Sequence, residues 1–194
     1  MQGKDDMQPE RASAAKLTYD DLLSFPEDGR RHELIDGEHY VTPSPTVRHQ
    51  RVARRLIVSL SRFVEEHQLG EVFQAPLDVV LSDVDVVEPD VFFVASEAPV
   101  DLSRTHVHGT PTLVVEILSP GTRKTDEQAK RRLYDRAGVQ EYWIVDPELD
   151  VVKIYRRADD GGFPRVAELS REDGDDLVTP LLPGFSLTLE TLFK

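Results

Sequence analysis

The chain has 194 residues, no cysteine and a formal net charge of −13. That length suits one α/β domain with a sizeable core, and the missing thiols exclude disulfides and thiolate metal sites and point to a reducing, cytoplasmic setting. No apolar run approaches the roughly 18 residues of a membrane span, and the polar start of the chain has no stretch of signal-peptide type. The expectation is a soluble cytosolic protein without membrane contact, with residues 1–16 as a disordered tail and 17–194 as one domain.

Net acidity argues against nucleic acid as a partner, but its distribution reverses that reading. Residues 48–62 hold five arginines and no acid, and residues 123–136 hold six basic residues against three acids. These two segments carry +8, which leaves −21 on the rest of the chain.

In chain order, Thr18 with Asp21 three residues later predicts a short capped helix to about Phe25. His32–Ile35 and Glu38–Val41, joined by Asp36-Gly37, predict a hairpin. From Val47 to His67 the stripe Val52, Leu56, Leu60, Phe63 predicts a helix, stopped at Gly70. Glu71–Gln74, Leu77–Leu81 and Val91–Val94 read as strands, and 95–110 as a loop. Leu113–Leu118 reads as a buried strand, followed by a helix over about 124–137, closed by Gly138. Glu141–Asp146, Val151–Tyr155, Phe163–Leu169 and Phe185–Leu187 are further strands, with an acidic loop over 171–176 and a last helical turn at 189–193. The order implies an α/β (α+β) mixed sheet with helices packed on it.

Glu116 interrupts the apolar strand. A buried carboxylate is unfavourable by several kcal/mol unless a metal, a cation or hydrogen bonds compensate it. Asp90, after Pro89, stands just ahead of another strand. Two carboxylates brought together favour a hard divalent cation, Mg²⁺ or Mn²⁺, which can activate a water and stabilise phosphoryl charge. Asp126, Lys130 and Tyr134 follow at four-residue spacing on one helix face, and Lys130 borders its apolar side. A lysine there could align the water or steady the developing charge. Glu33 in the hairpin and His49 on the inward stripe are weaker candidates, a lone inward histidine being more often a satisfied core residue. Tyr134, Tyr142 and Trp143 read as core aromatics.

Six stretches in register then resemble one family: Glu33–Glu38, Pro43–Pro45 with His49, Pro89–Val91, Val115–Pro120, Asp126…Lys130…Tyr134, and Gly138–Pro147. Together, over about residues 17–193, they are similar to the Uma-type restriction endonucleases, a branch of the PD-(D/E)XK nuclease superfamily. The resemblance implies a restriction-endonuclease-like fold, a central mixed β-sheet flanked by helices with a metal site at a split in the sheet. It makes Asp90 and Glu116 the metal-holding acids. The lysine expected two residues after the second acid is replaced by Leu118, so Lys130 becomes the candidate amine, with Glu33 and His49 completing the site.

The reading is a Mg²⁺-dependent (or Mn²⁺-dependent) endonuclease acting on DNA, with Arg48, Arg51, Arg54, Arg55, Arg131 and Arg132 as phosphate contacts and a homodimer as the default assembly. The alternatives are a non-catalytic nucleic-acid- or protein-binding module on the same scaffold, and a hydrolase of small phosphate esters.

Overall fold

The computed structural model describes residues 15–26 and 28–194. Most of the expected tail, residues 1–14, lies outside the described residues. At the boundary with the domain, Lys16 pairs with Asp36, and Leu17 N–H donates to Gly37 O at 3.1 Å. The capping box at Thr18 is formed, and it opens a helix of one turn, α1 (Tyr19–Leu22). Strands β1 (Arg31–Ile35) and β2 (Glu38–Thr42) make the hairpin with a two-residue turn. Asp36 and Gly37 there have φ of 55° and 75°, the doubly positive pair of a type I′ turn. A Cβ at Gly37 would collide with Lys16.

Helix α2 (Val47–His67) is capped by Thr46, whose hydroxyl accepts from His49 N–H. It buries His49, Val52, Leu56, Leu60 and Val64 along one face. It ends at the left-handed Gln68, φ 54°, two residues before the expected Gly70, which already starts β3 (Gly70–Gln74). Then come β4 (Asp78–Ser82), β5 (Asp85–Val87) and β6 (Val91–Ala95). The segment expected as a loop contains two short strands, β7 (Asp101–Leu102) and β8 (His106–His108). They form because β8 pairs with β4, a partner far away in the chain. Strand β9 (Leu113–Ile117) carries Glu116.

The helix after β9 opens with six π-helical residues, Thr125–Lys130, and continues as α3 (Arg131–Ala137) to a left-handed Gly138. Wide π turns of this kind often sit at functional sites. Strands β10 (Glu141–Asp146), β11 (Val151–Arg156), β12 (Arg165–Ser170), β13 (Asp176–Val178) and β14 (Ser186–Thr188) follow, and then α4 (Leu189–Phe193).

Among the described residues the mixed α+β fold carries its strands in two six-stranded sheets, with β13–β14 a separate pair. The larger-cored sheet runs β12-β11-β10-β9-β6-β3, with β9 and β10 parallel and its other pairs antiparallel. The other runs β2-β1-β5-β4-β8-β7. Alternation along the first sheet assigns its two faces. Val91, Phe93, Val115, Ile117, Trp143 and Val145 pack with α2 and α4. Phe92, Val94, Val114, Tyr142 and Ile144 pack with α3 and with Val79, Val87 and Val107 of the second sheet. Glu116 alternates with Val115 and Ile117, so its side chain belongs to the α3 side. That is where Lys130 and Tyr134 arrive.

Candidate active site

Val91 of β6 pairs with Val115 of β9, so the residues one step further, Asp90 and Glu116, fall opposite each other. Both are buried, Glu116 at 2% exposure. Glu33, Glu88 and Asp126 are buried around them, so five carboxylates share one region. Sequence reasoning found Asp90, Glu116, Glu33 and Asp126 but passed over Glu88.

Lys130, 3% exposed, is the inner cation of the cluster. Its Nζ donates to Glu33 Oε1 at 2.7 Å and to Glu116 Oε1 at 2.9 Å, and lies 3.9 Å from Asp126 Oδ1. Tyr134 Oη donates to the same Glu116 oxygen at 2.7 Å. This core aromatic is therefore also a ligand of the acid. Glu33 is held further by Glu88 N–H at 2.8 Å and by the Thr42 hydroxyl at 3.3 Å. Leu118, where the resemblance led to the expectation of a lysine, is a core residue packed in the same cluster as Leu133.

Asp90 is held by different groups. Oδ1 accepts from Arg31 Nη1 at 2.9 Å, while Oδ2 accepts from Ile117 N–H at 2.8 Å and faces His49 Nε2 at 3.0 Å. Arg31 Nη1 also donates to Glu88 O at 3.1 Å. An ionised Asp90 puts the proton on His49 Nε2, and His49 Nδ1 is then buried with no partner among the described residues. Arg31 was missed from sequence, although a period-two signal existed. It stands two residues before Glu33 on the same strand, and so on the same face.

The electrostatics separate the acids. Burial, reinforced by Asp126, Asp90 and Glu33 and opposed by Lys130, pushes Glu116 up to about 8. Burial likewise raises Glu88 to about 7 and Asp126 to about 6. Burial would raise Asp90 too, but His49, Arg31 and the Ile117 N–H hold it below the usual carboxylate range. Burial works against a charged Lys130, yet Glu116, Glu33 and Asp126 keep its pKa above the ordinary lysine value.

Five acids against Lys130 and Arg31 leave an excess of carboxyl oxygens, and all-oxygen donors suit a hard divalent cation, whose charge would favour the ionised acids. The donor chemistry therefore fits a Mg²⁺-type ion between Asp90 and Glu116, and Glu116 Oε2 accepts no hydrogen bond among the described residues. Among those residues, however, no three acids or histidines are already grouped around a common point.

Two clefts of about 400 and 540 Å³ meet at Asp90 and share Pro45, His49, Gln50 and Ala75. Arg31 lines the first, and Arg51 and Arg54 line the second. Lys130 lines neither. Of the other expected phosphate contacts, Arg48 is committed to Asp150 at 2.5 Å and to Pro147 O, and Arg55 donates to Leu192 O at 3.3 Å. Arg131 lies over the Tyr155 ring, and Arg132 is exposed; neither lines these clefts.

Opposed acids on neighbouring antiparallel strands, backed by a parallel β9–β10 pair and a helix that supplies an amine, define a restriction-endonuclease-like scaffold. The crystal structure of a "putative nuclease belonging to DUF820" from Anabaena variabilis ATCC 29413 superimposes with a TM-score of 0.74 at 22% identity, covering 91% of this chain and 97% of that one. The family model "Uma2: Putative restriction endonuclease" matches residues 19–190, and the chain belongs to that family. The protein slr1290 of Synechocystis sp. (strain ATCC 27184 / PCC 6803 / Kazusa), described as uncharacterized, is 28% identical over 151 residues, 76% of this chain and 78% of that protein.

Proposed function

We propose that the chain is a divalent-metal-dependent endonuclease that hydrolyses DNA phosphodiester bonds. The observation that carries this reading is the Asp90–Glu116 opposition, buried amid an excess of acid, with Asp90 at the point where two clefts meet. Asp90 and Glu116 would hold Mg²⁺ or Mn²⁺, which when bound supplies an activated water and neutralises phosphoryl charge. The chain's own groups prepare the acids. His49 and Ile117 N–H fix Asp90, and Lys130 and Tyr134 fix Glu116 and place Glu33 beside it. Lys130 acts in this reading by positioning acids, because both of its short contacts are already to carboxylates. Arg51 and Arg54 offer charge to the flanking backbone. A symmetric pair of chains would let two such sites address two strands.

The test is scission of end-labelled DNA, duplex and single-stranded, by the purified protein with Mg²⁺ or Mn²⁺. Wild type should cut, and Asp90→Asn and Glu116→Gln should each lose on the order of 10³-fold. Equal cutting by the variants would assign the activity to a contaminant. One observation favours the binding-module alternative: every Asp90 oxygen already has a protein partner. That reading predicts retained DNA affinity with no scission under any divalent metal. Turnover of a nitrophenyl phosphodiester without strand scission would instead indicate the small-ester hydrolase.

A further inference from the structure

An anionic substrate faces a difficulty at this site. It must approach five buried carboxylates, yet the amine among them, Lys130, lies behind the acids and lines neither cleft. Of the two arginines lining the first cleft, Arg30 pairs with Asp28, and Arg31 is the one that touches the acid cluster. Its side chain is 18% exposed and lines the first cleft. Only its Nη1 is used, on Asp90 and Glu88 O; Nε and Nη2 have no partner among the described residues. Across the same cleft lies the start of α2, a helix of 21 residues, with His49 and Gln50 on the wall.

A guanidinium with two donors to spare is a planar fork that matches phosphate oxygens, which a lysine cannot reproduce. We propose that this cleft is a phosphate-docking subsite, in which Arg31 receives a backbone phosphate through Nε and Nη2 while Nη1 stays on Asp90. Arg31 thereby seats the phosphodiester against the acid pair. Arg51 and Arg54, in the second cleft, meet the strand on the other side of Asp90. The identity of the ligand rests on the nuclease reading; the existence of the subsite rests on the cleft.

The experiment is a binding cycle in EDTA, so that no cleavage intervenes. A short labelled oligonucleotide is titrated with wild type, Arg31→Gln and Arg31→Lys, and then remade with one neutral methylphosphonate linkage at each position in turn. At one position the neutral linkage should weaken wild-type binding about 10- to 100-fold, the scale of a charge-assisted hydrogen bond. Arg31→Gln should produce the same loss, and the two losses should not add. Arg31→Lys keeps a charge beside Asp90 without the fork and should lose part of that affinity; melting of each variant checks that it is folded. Additive losses at every position, or wild-type affinity in Arg31→Lys, would overturn the subsite. Wild-type scission with an additive cycle defeats this inference and leaves the nuclease reading intact. A non-additive cycle without scission does the reverse.

Discussion

The two sides of the carboxylate cluster are built differently. On the inner side, Lys130, Tyr134, Glu33 and Glu116 are buried and satisfy one another at 2.7–2.9 Å. On the outer side, Asp90 is held by His49 and by Arg31, and among the described residues Arg31 keeps Nε and Nη2 without partners at the first cleft. The contrast separates two tasks. The inner half fixes where the acids are, and the outer half keeps hydrogen-bonding capacity for something that is not protein.

The sharpest way to break that division is at Lys130. Removing the amine strands Glu33 and Glu116 in the interior, and breaking a buried pair by removing one partner costs about 3–5 kcal/mol. Lys130→Met should therefore lower stability to denaturant by roughly that amount, and a second change, Glu33→Gln, should recover part of it. If Lys130→Met is as stable as wild type but inactive, the amine is a substrate-facing group and the division is wrong.

Acidity gives a second handle. Glu116, Glu88 and Asp126 have folded-state pKa values of about 8, 7 and 6, above their ordinary values of 4.5, 4.5 and 3.8. Folded protein thus binds protons that the unfolded chain has released. The stability these groups contribute is full below their unfolded values and is lost as pH rises through 6 to 8. Asp90, with its pKa depressed, has the opposite sign and loses its contribution only as pH falls below the usual carboxylate range. The melting temperature of metal-free wild type should fall between pH 6 and 8.5, and Glu116→Gln should flatten the upper part of that fall. An unchanged slope in the variant would mean that Glu116 ionises normally.

These groups differ in how legible they were. Glu116 was visible because one acid in an apolar strand has no other local explanation, and Lys130 because the 126, 130, 134 series placed it toward the core. Arg31 was not, since in a half-exposed hairpin it is indistinguishable from a surface arginine until Asp90 is brought beside it. The pairing of Arg48 was hidden for a similar reason: its partner Asp150 is 102 positions away and leaves no local mark. The hairpin turn and the helices carried short-range signals. The split into two sheets did not, because β5, β7 and β8 have two or three residues each and depend on distant pairing.

The smallest effects belong to the second cleft. Arg51→Ala and Arg54→Ala should weaken DNA binding without sequence preference and lower the salt slope by about one each. Arg62→Ala should change neither, since Arg62 lines neither cleft and pairs with Glu66 at 2.8 Å. A comparable change of slope in all three would mean that the whole helix face, rather than the cleft, carries the contact.

The claim beneath all of this is that Asp90 and Glu116 form one divalent-metal site. It is met most directly by calorimetric titration of Mn²⁺ into wild type and Glu116→Gln, alone and with a short DNA duplex. Binding by wild type that is absent in the variant is the predicted result. Equal binding by the two proteins, or none by wild type even with the duplex present, would contradict it.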